Sequence, residues 1–179
     1  MRDLRDELEI IVNGGRYFIA EQPAAVAELF SKIPHSIRHV VEQSAQPYNC
    51  FMYALRLLDH ERVYAILQDD ANRNGWADIK VGPKFVARLI DRGILVEDVE
   101  GEIVIYFRGN IPVHAGINDK GRITSKWGIG NLWVHEMWEA PRSYGDRTVR
   151  HRITHPELID TEFEAHYAEL LAAKEDALG

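Results

Sequence analysis

The chain has 179 residues, 46% hydrophobic and 27% charged, which is the size and composition of one folded domain with a substantial core. A formal net charge of −7 argues against a nucleic-acid-binding protein, and the single cysteine excludes an intramolecular disulfide and a cysteine-rich zinc site. No stretch approaches the roughly 20 apolar residues of a membrane span. The charged N-terminus, MRDLRDELEI, lacks the apolar core of a signal peptide, so we expect a cytoplasmic protein.

The first half of the chain is predicted to be helical. Apolar residues at 4, 8, 11 and 12 favour a helix that ends at the Gly14–Gly15 pair, and QPAAVAELFSKI (22–33) predicts a second, with a proline in its first turn. HSIRHVVEQSA (35–45) predicts another short helix. CFMYALRLLDH (50–60) carries one apolar stripe, and GPKFVARLIDRGI (82–94) predicts an amphipathic helix closed by glycine.

The second half of the chain changes character and predicts strands. EIVIYF is a continuous run of β-branched and aromatic residues, and IPVHAGIN alternates strictly between apolar and other residues. NDKG is a turn signal that joins IPVHAGIN to its partner. We therefore predict four strands: EIVIYF (102–107), IPVHAGIN (111–118), RITSKW (122–127) and NLWVHEMW (131–138).

The order of these elements predicts an α+β domain, with helices first, then an antiparallel sheet, then a C-terminal helix that begins at a proline. The basic run RSYGDRTVRHR (142–152) is predicted to be a solvated loop. We divide the chain into an N-terminal helical segment, 1–45, a core, 46–150, and a C-terminal helix, 151–179, all within a single domain.

Cys50 is the candidate nucleophile. A thiol attacks only as the thiolate, so it needs a lowered pKa or a nearby base. Asn49 is a favourable N-cap residue, which places Cys50 in the first helical turn, where exposed N–H groups and the helix dipole favour a negative charge. The Cys50 backbone N–H is also a natural donor to an oxyanion. The alternative for a single cysteine in a helix is an inert core residue.

His114 is the best candidate for the base. It lies on the face of its predicted strand opposite the apolar face, and its same-face neighbours Pro112 and Gly116 are expected to leave space above the imidazole for a substrate. The alternative for a lone strand histidine is a structural role. His35 and His39 have the i, i+4 spacing of metal ligands, but no third ligand and no HExxH pattern accompany them, so we expect no metal site.

The segment GEIVIYFRGNIPVHAGINDKGRITS (101–125) resembles the core of the NlpC-type and CHAP-type papain-like cysteine hydrolases. In that family an apolar strand leads to a HVGIY strand, a glycine turn and a return strand, and a cysteine upstream begins a helix. The resemblance implies a papain-like core in which the cysteine helix packs on a small antiparallel sheet. It also implies that Cys50 is the nucleophile and His114 the base.

A closer resemblance is to a group of bacterial proteins that share four motifs. They have an NC-apolar-x-aromatic-A opening, a HA…GR-x-TSK-x-G hairpin, a later histidine, and a YG pair near the end. This chain has NCFMYA, HAGINDKGRITSKWG, His135 and SYG (143–145), so the resemblance covers residues 48 to 146. The hairpin is its most specific part.

The NlpC-type pattern also implies a polar residue, often a second histidine, that orients the base. Ser125 falls at that position on the return strand, and Lys126 follows it. A serine stabilises an imidazolium less than a carboxylate or an imidazole does, and a charged lysine cannot accept a hydrogen bond. His135 or Glu136 from the next segment is an alternative, and the sequence ranks Ser125 and His135 equally.

Further residues are candidates for contacts with the oxyanion or the substrate. Papain-like enzymes often place a polar side chain shortly before the nucleophile, which here implies Gln46 or Asn49, with Gln43 as a further possibility. Trp127 belongs to a tryptophan-rich stretch that either lines a substrate groove or packs in the core.

Two functions are compatible with these features. The first is a cysteine hydrolase or transferase that acts on a peptide, protein or peptidoglycan-type amide bond through a Cys–His pair, with no cofactor and with no nucleic-acid or membrane partner. The second is a catalytically inactive papain-like fold that works as a protein-binding, immunity or regulatory module. The reactivity of Cys50 distinguishes the two.

Overall fold

Seven strands form one antiparallel sheet in the computed structural model, which describes residues 3–41, 48–74, 81–128 and 130–176. The strands are Arg38–Val40 (β1), Leu95–Glu97 (β2), Ile103–Arg108 (β3), Ile111–Asp119 (β4), Arg122–Lys126 (β5), Leu132–His135 (β6) and Arg147–Ile153 (β7). Their order across the sheet is β1-β6-β5-β4-β3-β7-β2, and every neighbouring pair is antiparallel. The β3–β4–β5 meander therefore lies at the centre of the sheet.

Helices precede, interrupt and follow these strands. They are Leu4–Val12 (α1), Gln22–Leu29 (α2), Cys50–Ala54 (α3), Glu61–Asn74 (α4), Pro83–Asp91 (α5) and Ile159–Asp176 (α6). The predicted α+β class is confirmed, with N-terminal helices, an antiparallel sheet and a C-terminal helix. Among the described helices, none has both the length and the apolar character needed to cross a membrane.

Three predictions of local structure are wrong. The helix predicted through 50–60 ends at Ala54, and Arg56, with a left-handed φ of 54°, separates it from a short 3-10 turn at Leu57–Asp59. The segment predicted as a short helix at 35–45 contains strand β1, in which His39 lies opposite Trp133 of β6. The i, i+4 argument for His35 and His39 therefore fails, because it requires a helix. The basic run predicted as a loop contains β7, which lies between β3 and β2. Its arginines mask an alternation in which Val149 and His151 pair with the apolar residues of β3.

The central sheet is buried on both faces. On one face, residues of β3 and β4 join α3, α5 and α6 in the main core, whose members include Phe51, Phe85, Ile103, Ile105, Phe107, Ala115 and Phe163. On the other face, Trp133 of β6 and Trp127, which follows β5, join residues of α1 and α2 in the second core, whose members include Leu8, Val26, Trp127, Trp133, Ala140 and Tyr144. His114 alternates with Ala115 along β4, so its side chain points away from the main core.

Gly116 permits the close approach of β5 to β4. A Cβ atom at this position would lie 2.6 Å from Ile123 Cγ2, 2.9 Å from Ser125 Cβ and 2.9 Å from the Thr124 carbonyl oxygen. Contacts this short require the strands to separate. The glycine therefore fixes the spacing of the two strands that carry His114 and Ser125.

We predict that Gly116→Ala lowers the free energy of unfolding by about 1–3 kcal/mol, because the added methyl group overpacks the β4–β5 contact. Urea unfolding of the two proteins measures this difference. Gly82→Ser is the matched control, since a Cβ at Gly82 meets no atom within 4 Å and serine is a favourable N-cap for α5. Equal destabilisation by both substitutions would contradict the role assigned to Gly116.

Candidate active site

Cys50 begins helix α3, as the sequence predicted. The Asn49 side chain caps the helix, and its Oδ1 accepts the Met52 backbone N–H at 3.0 Å. The Asn49 Nδ2 donates to the Val81 carbonyl oxygen at 2.7 Å, so both ends of this amide already have partners. Cys50 itself is 7% exposed and belongs to the main core.

Burial changes the predicted chemistry of the thiol. Burial has the largest effect on the pKa of the Cys50 thiol, which is raised to about 11. Hydrogen bonds from the backbone N–H groups of Ala115, Phe51 and Cys50 act in the opposite direction and have a smaller effect. The helix start thus favours the thiolate, as expected, but desolvation of the charged form outweighs it. The prediction of a depressed thiol pKa is wrong for this closed structure.

His114 lies on β4 and is 1% exposed. The Tyr144 ring stacks on its imidazole with a centroid separation of 4.1 Å, and the Tyr106 ring lies 5.3 Å away. The expected space above the imidazole is therefore filled by Tyr144. Burial lowers the pKa of His114 well below its ordinary value, and the nearby His135 lowers the pKa further.

The imidazole of His114 differs from that of other buried histidines in its hydrogen bonding. Neither of its ring nitrogens has a hydrogen-bond partner among the described residues. By contrast, both ring nitrogens of His135 are hydrogen-bonded. An unpaired buried donor typically costs about 1–3 kcal/mol, and buried groups of this kind are uncommon in native proteins. Among the described residues, His114 therefore lacks the hydrogen-bond partners that a buried structural histidine usually has.

Ser125 and His135, the two candidates for orienting His114, are hydrogen-bonded to each other. The His135 Nδ1–H donates to the Glu136 carbonyl oxygen at 2.7 Å, and its Nε2 accepts the Ser125 hydroxyl at 2.8 Å. This pattern fixes the neutral tautomer of His135. Burial lowers the pKa of His135 to about 4. His135 lies near enough to His114 to lower its pKa, in addition to the larger effect of burial, without a hydrogen bond to its ring.

Cys50 lies against the backbone of strand β4, next to the residue that follows His114. The Ala115 backbone N–H interacts with the thiol, and this nitrogen is one peptide bond from His114. The Ala115 side chain lies in the main core, whereas the His114 imidazole lies between rings of the second layer. Tyr144 contacts His114. Burial raises the pKa of Tyr144, and the charge of the nearby Cys50 thiolate raises it further. Tyr144 is therefore the side chain with a relation to both residues, and no hydrogen bond joins the thiol to the imidazole.

The remaining candidates differ in their placement. Trp127 is 1% exposed and stacks on Trp133 at 4.7 Å, so it packs in the second core and does not line an open groove. Gln46 and Gln43 lie outside the described residues. Tyr144 is the residue that sequence reasoning missed, because the SYG motif indicated a shared feature without indicating a contact with His114.

We predict that native Cys50 reacts with iodoacetamide about a hundredfold more slowly than Cys50 of the urea-unfolded chain at about pH 8. A pKa raised from 9.0 to about 11 lowers the thiolate fraction by that factor. Mass spectrometry of quenched samples gives both rates, and the same cysteine in the unfolded chain is its own control. Rapid labelling of the native protein at about pH 6 would contradict the closed, protonated site.

We also predict a loss of stability in acid that is caused by the buried histidines. His135 has a pKa of about 4 in the folded state against 6.5 normally, so the unfolded chain binds more protons in this range. Neutral His135 makes its full contribution to the free energy of unfolding above pH 6.5. As the pH falls toward 4, this free energy decreases by on the order of 3 kcal/mol. Urea unfolding across this range measures it.

His135→Asn should flatten that pH dependence, because asparagine retains an N–H donor for the Glu136 carbonyl and does not titrate. His155→Asn is the control, since His155 is exposed and pairs with Glu157. An unchanged acid slope in His135→Asn would contradict the assignment.

Comparison with known proteins gives one match. The family model described as "Domain of unknown function (DUF7689)" matches residues 39–152. This region contains Cys50, His114, Ser125, His135 and Tyr144, and it excludes helices α1 and α2. Neither a curated protein nor a solved structure matches the chain.

Proposed function

The chain belongs to the DUF7689 family, and within that domain we propose that Cys50 and His114 form the catalytic pair of a papain-like cysteine hydrolase or transferase. The bond attacked is an amide or peptide bond. Cys50 is the nucleophile, and His114 is the general base and then the general acid. Ser125 and His135 form the polar pair beside the base.

The observation that carries this proposal is the state of the His114 imidazole. The ring is enclosed, lies beside the residue whose N–H interacts with the Cys50 thiol, and has both nitrogens unpaired among the described residues. A histidine retained for packing alone would be expected to hold hydrogen bonds as His135 does. The order of the cysteine helix followed by the histidine strand supports the same conclusion, because it matches the papain-like pattern.

The start of α3 supplies the second part of the chemistry. Backbone N–H groups of Cys50, Phe51 and Ala115 favour negative charge at the sulfur. The Cys50 N–H is also placed to stabilise the oxyanion that forms next to the sulfur when a carbonyl is attacked. These donors are backbone groups of α3 and β4, so the donors themselves need not reorganise when the oxyanion forms.

The reaction proceeds through a thioester. His114 takes the thiol proton as the sulfur bonds to the carbonyl carbon, and the carbonyl oxygen becomes the oxyanion. His114 then returns the proton to the leaving amine as the carbon–nitrogen bond breaks. Water, or an amine acceptor in a transferase, attacks the thioester with loss of its proton to His114. The sulfur leaves as the thiolate and regains that proton.

This chemistry requires a rearrangement of the resting structure. The Tyr144 ring must leave the imidazole, and the imidazole must turn toward the sulfur. Formation of a thiolate–imidazolium pair reverses the effect of burial, since each charge then stabilises the other. A peptide, protein or peptidoglycan-type amide is the substrate class that the papain-like pattern implies, and a cytoplasmic location favours the first two.

A second function has one observation in its favour. Burial raises the pKa of Cys50 to about 11, and the thiol makes no hydrogen bond to His114. Both features suit an inactive papain-like module that binds or regulates another protein. This alternative leaves the unpaired nitrogens of His114 without a role, so we rank it second.

Acylation by 4-nitrophenyl acetate tests the proposal. We expect an acetyl adduct on Cys50, detected by peptide mass spectrometry, and loss of this adduct in Cys50→Ala. His114→Gln should slow adduct formation by about a hundredfold or more, because general base catalysis contributes at least that much.

His151→Gln is the matched control, because His151 is also a buried strand histidine of the same sheet. Its acylation rate should stay close to that of the wild-type protein. If His114→Gln acylates as fast as wild type, His114 is not the base, and the inactive binding module becomes the better description.

A further inference from the structure

Helix α1 lies outside the matched family domain and contacts the segment that carries Tyr144. We propose that α1 is an autoinhibitory latch, which holds Tyr144 over His114 and must be displaced before substrate enters. The inference rests on the proposed function of the Cys50–His114 pair, and it adds the regulation of that pair. We call residues 140–145 the gate segment.

Arg5 of α1 makes the central contacts of this latch. Its guanidinium group donates to the carbonyl oxygens of Ala140 at 3.2 Å, Pro141 at 3.3 Å and Gly145 at 2.6 Å. One side chain thus ties both ends of the gate segment to the helix. Hydrogen bonds from a charged donor are stronger than neutral ones, and these three are partly buried.

Other polar residues of α1 extend the contact. Asp3 and Asp6 pair with Arg142, and Glu9 accepts the Ser143 backbone N–H at 2.8 Å. Arg5 and Glu9 lie one turn apart on the helix, so a single face of α1 forms hydrogen bonds with the backbone of the gate segment. Leu8 and Ile11 are buried from the neighbouring face in the second core, which also contains Tyr144.

Strand β3 also holds the gate segment, at the Gly145 end that Arg5 contacts as well. Gly145 has a φ of +111°, and a Cβ there would lie 2.5 Å from the Phe107 carbonyl oxygen. The Asp146 backbone N–H donates to the same oxygen at 2.9 Å. This anchor is independent of α1, so the segment has a fixed end at Gly145 and a releasable side at the helix.

Tyr144 is placed between these two anchors. It is 8% exposed, stacks on His114 at 4.1 Å, and meets the Trp127 ring edge-on at 6.5 Å. The ring occupies the side of the imidazole that a carbonyl group needs in order to reach His114 and Cys50. Holding Tyr144 therefore also holds the imidazole in its unpaired orientation.

The strength of the latch suits a reversible device. The ion pairs of Arg142 with Asp3 and Asp6 are about half exposed, so each makes a modest contribution that salt weakens. Release of α1 loses these contacts and the Arg5 hydrogen bonds, while the central sheet retains its own pairing. The opening is thus a local event rather than global unfolding.

The rate of Cys50 alkylation by iodoacetamide in the full chain tests the latch. We expect Arg5→Ala to accelerate alkylation by about tenfold or more, since loss of about 1.4 kcal/mol of latch contacts changes a local opening equilibrium by that factor. Arg16→Ala is the matched control, because Arg16 lies shortly after the end of α1 and its guanidinium group lies over the Tyr17 ring. It should label at the wild-type rate. Urea unfolding of each variant separates local opening from a change in global stability.

The salt dependence of Cys50 alkylation provides a second test, in which Arg5 is left unchanged. Alkylation of wild type should accelerate between low and high sodium chloride, and the Asp3→Asn, Asp6→Asn double variant should be fast at low salt and insensitive to it. Equal labelling of wild type and Arg5→Ala overturns the latch. The latch is also overturned if the faster labelling of a variant is fully explained by its lower free energy of unfolding. Labelling of the wild type that does not change with salt overturns it as well.

Alkylation reports access to the thiol and does not require His114. A latch that opens as expected, together with acylation that does not depend on His114, removes the proposed enzyme and leaves a gated cysteine. Acylation that depends on His114, together with labelling that does not depend on Arg5, removes the latch and leaves the enzyme.

Discussion

Strand β4 is covered on both faces, and this burial controls the chemistry on either side of it. The main core lies against Ala115 and the second layer against His114. Because water is excluded from both sides, the charged forms of thiol and imidazole are disfavoured together, and burial shifts their pKa values in opposite directions. A neutral resting pair follows from this enclosure. The N–H groups at the start of α3 favour an anion, but only a neighbouring positive charge is strong enough to reverse the effect of burial.

The parts of the fold that depend on local sequence were predictable. Asn49 indicated the helix start because a capping side chain acts within one turn. Alternation in IPVHAGIN indicated β4 and the opposite directions of His114 and Ala115. The α+β class followed from the order of such segments. The papain-like core and its catalytic pair remain predictions that rest on the resemblance and on the unpaired His114 ring.

The parts that depend on distant contacts were not predictable from the same signals. Alternation shows which residues share a face, but not what covers it, so the burial of His114 by Tyr144 could not be inferred. The Ser125–His135 hydrogen bond depends on the register of β5 and β6, in which Ser125 lies opposite Trp133. Strand β7 was hidden by its arginines, because charge density outweighed its period-two pattern.

The two outer strands of the sheet, β1 and β2, contain three residues each. Short edges offer few free backbone donors and acceptors, and β1 carries Arg38 and His39 as well, so neither edge is a good template for adding a strand from another molecule. The long central strands are shielded between them. Displacement of α1 would uncover aromatic rings but, among the described strands, no long edge. Local opening at α1 therefore leaves the described edges of the sheet unsuited to intermolecular β-structure.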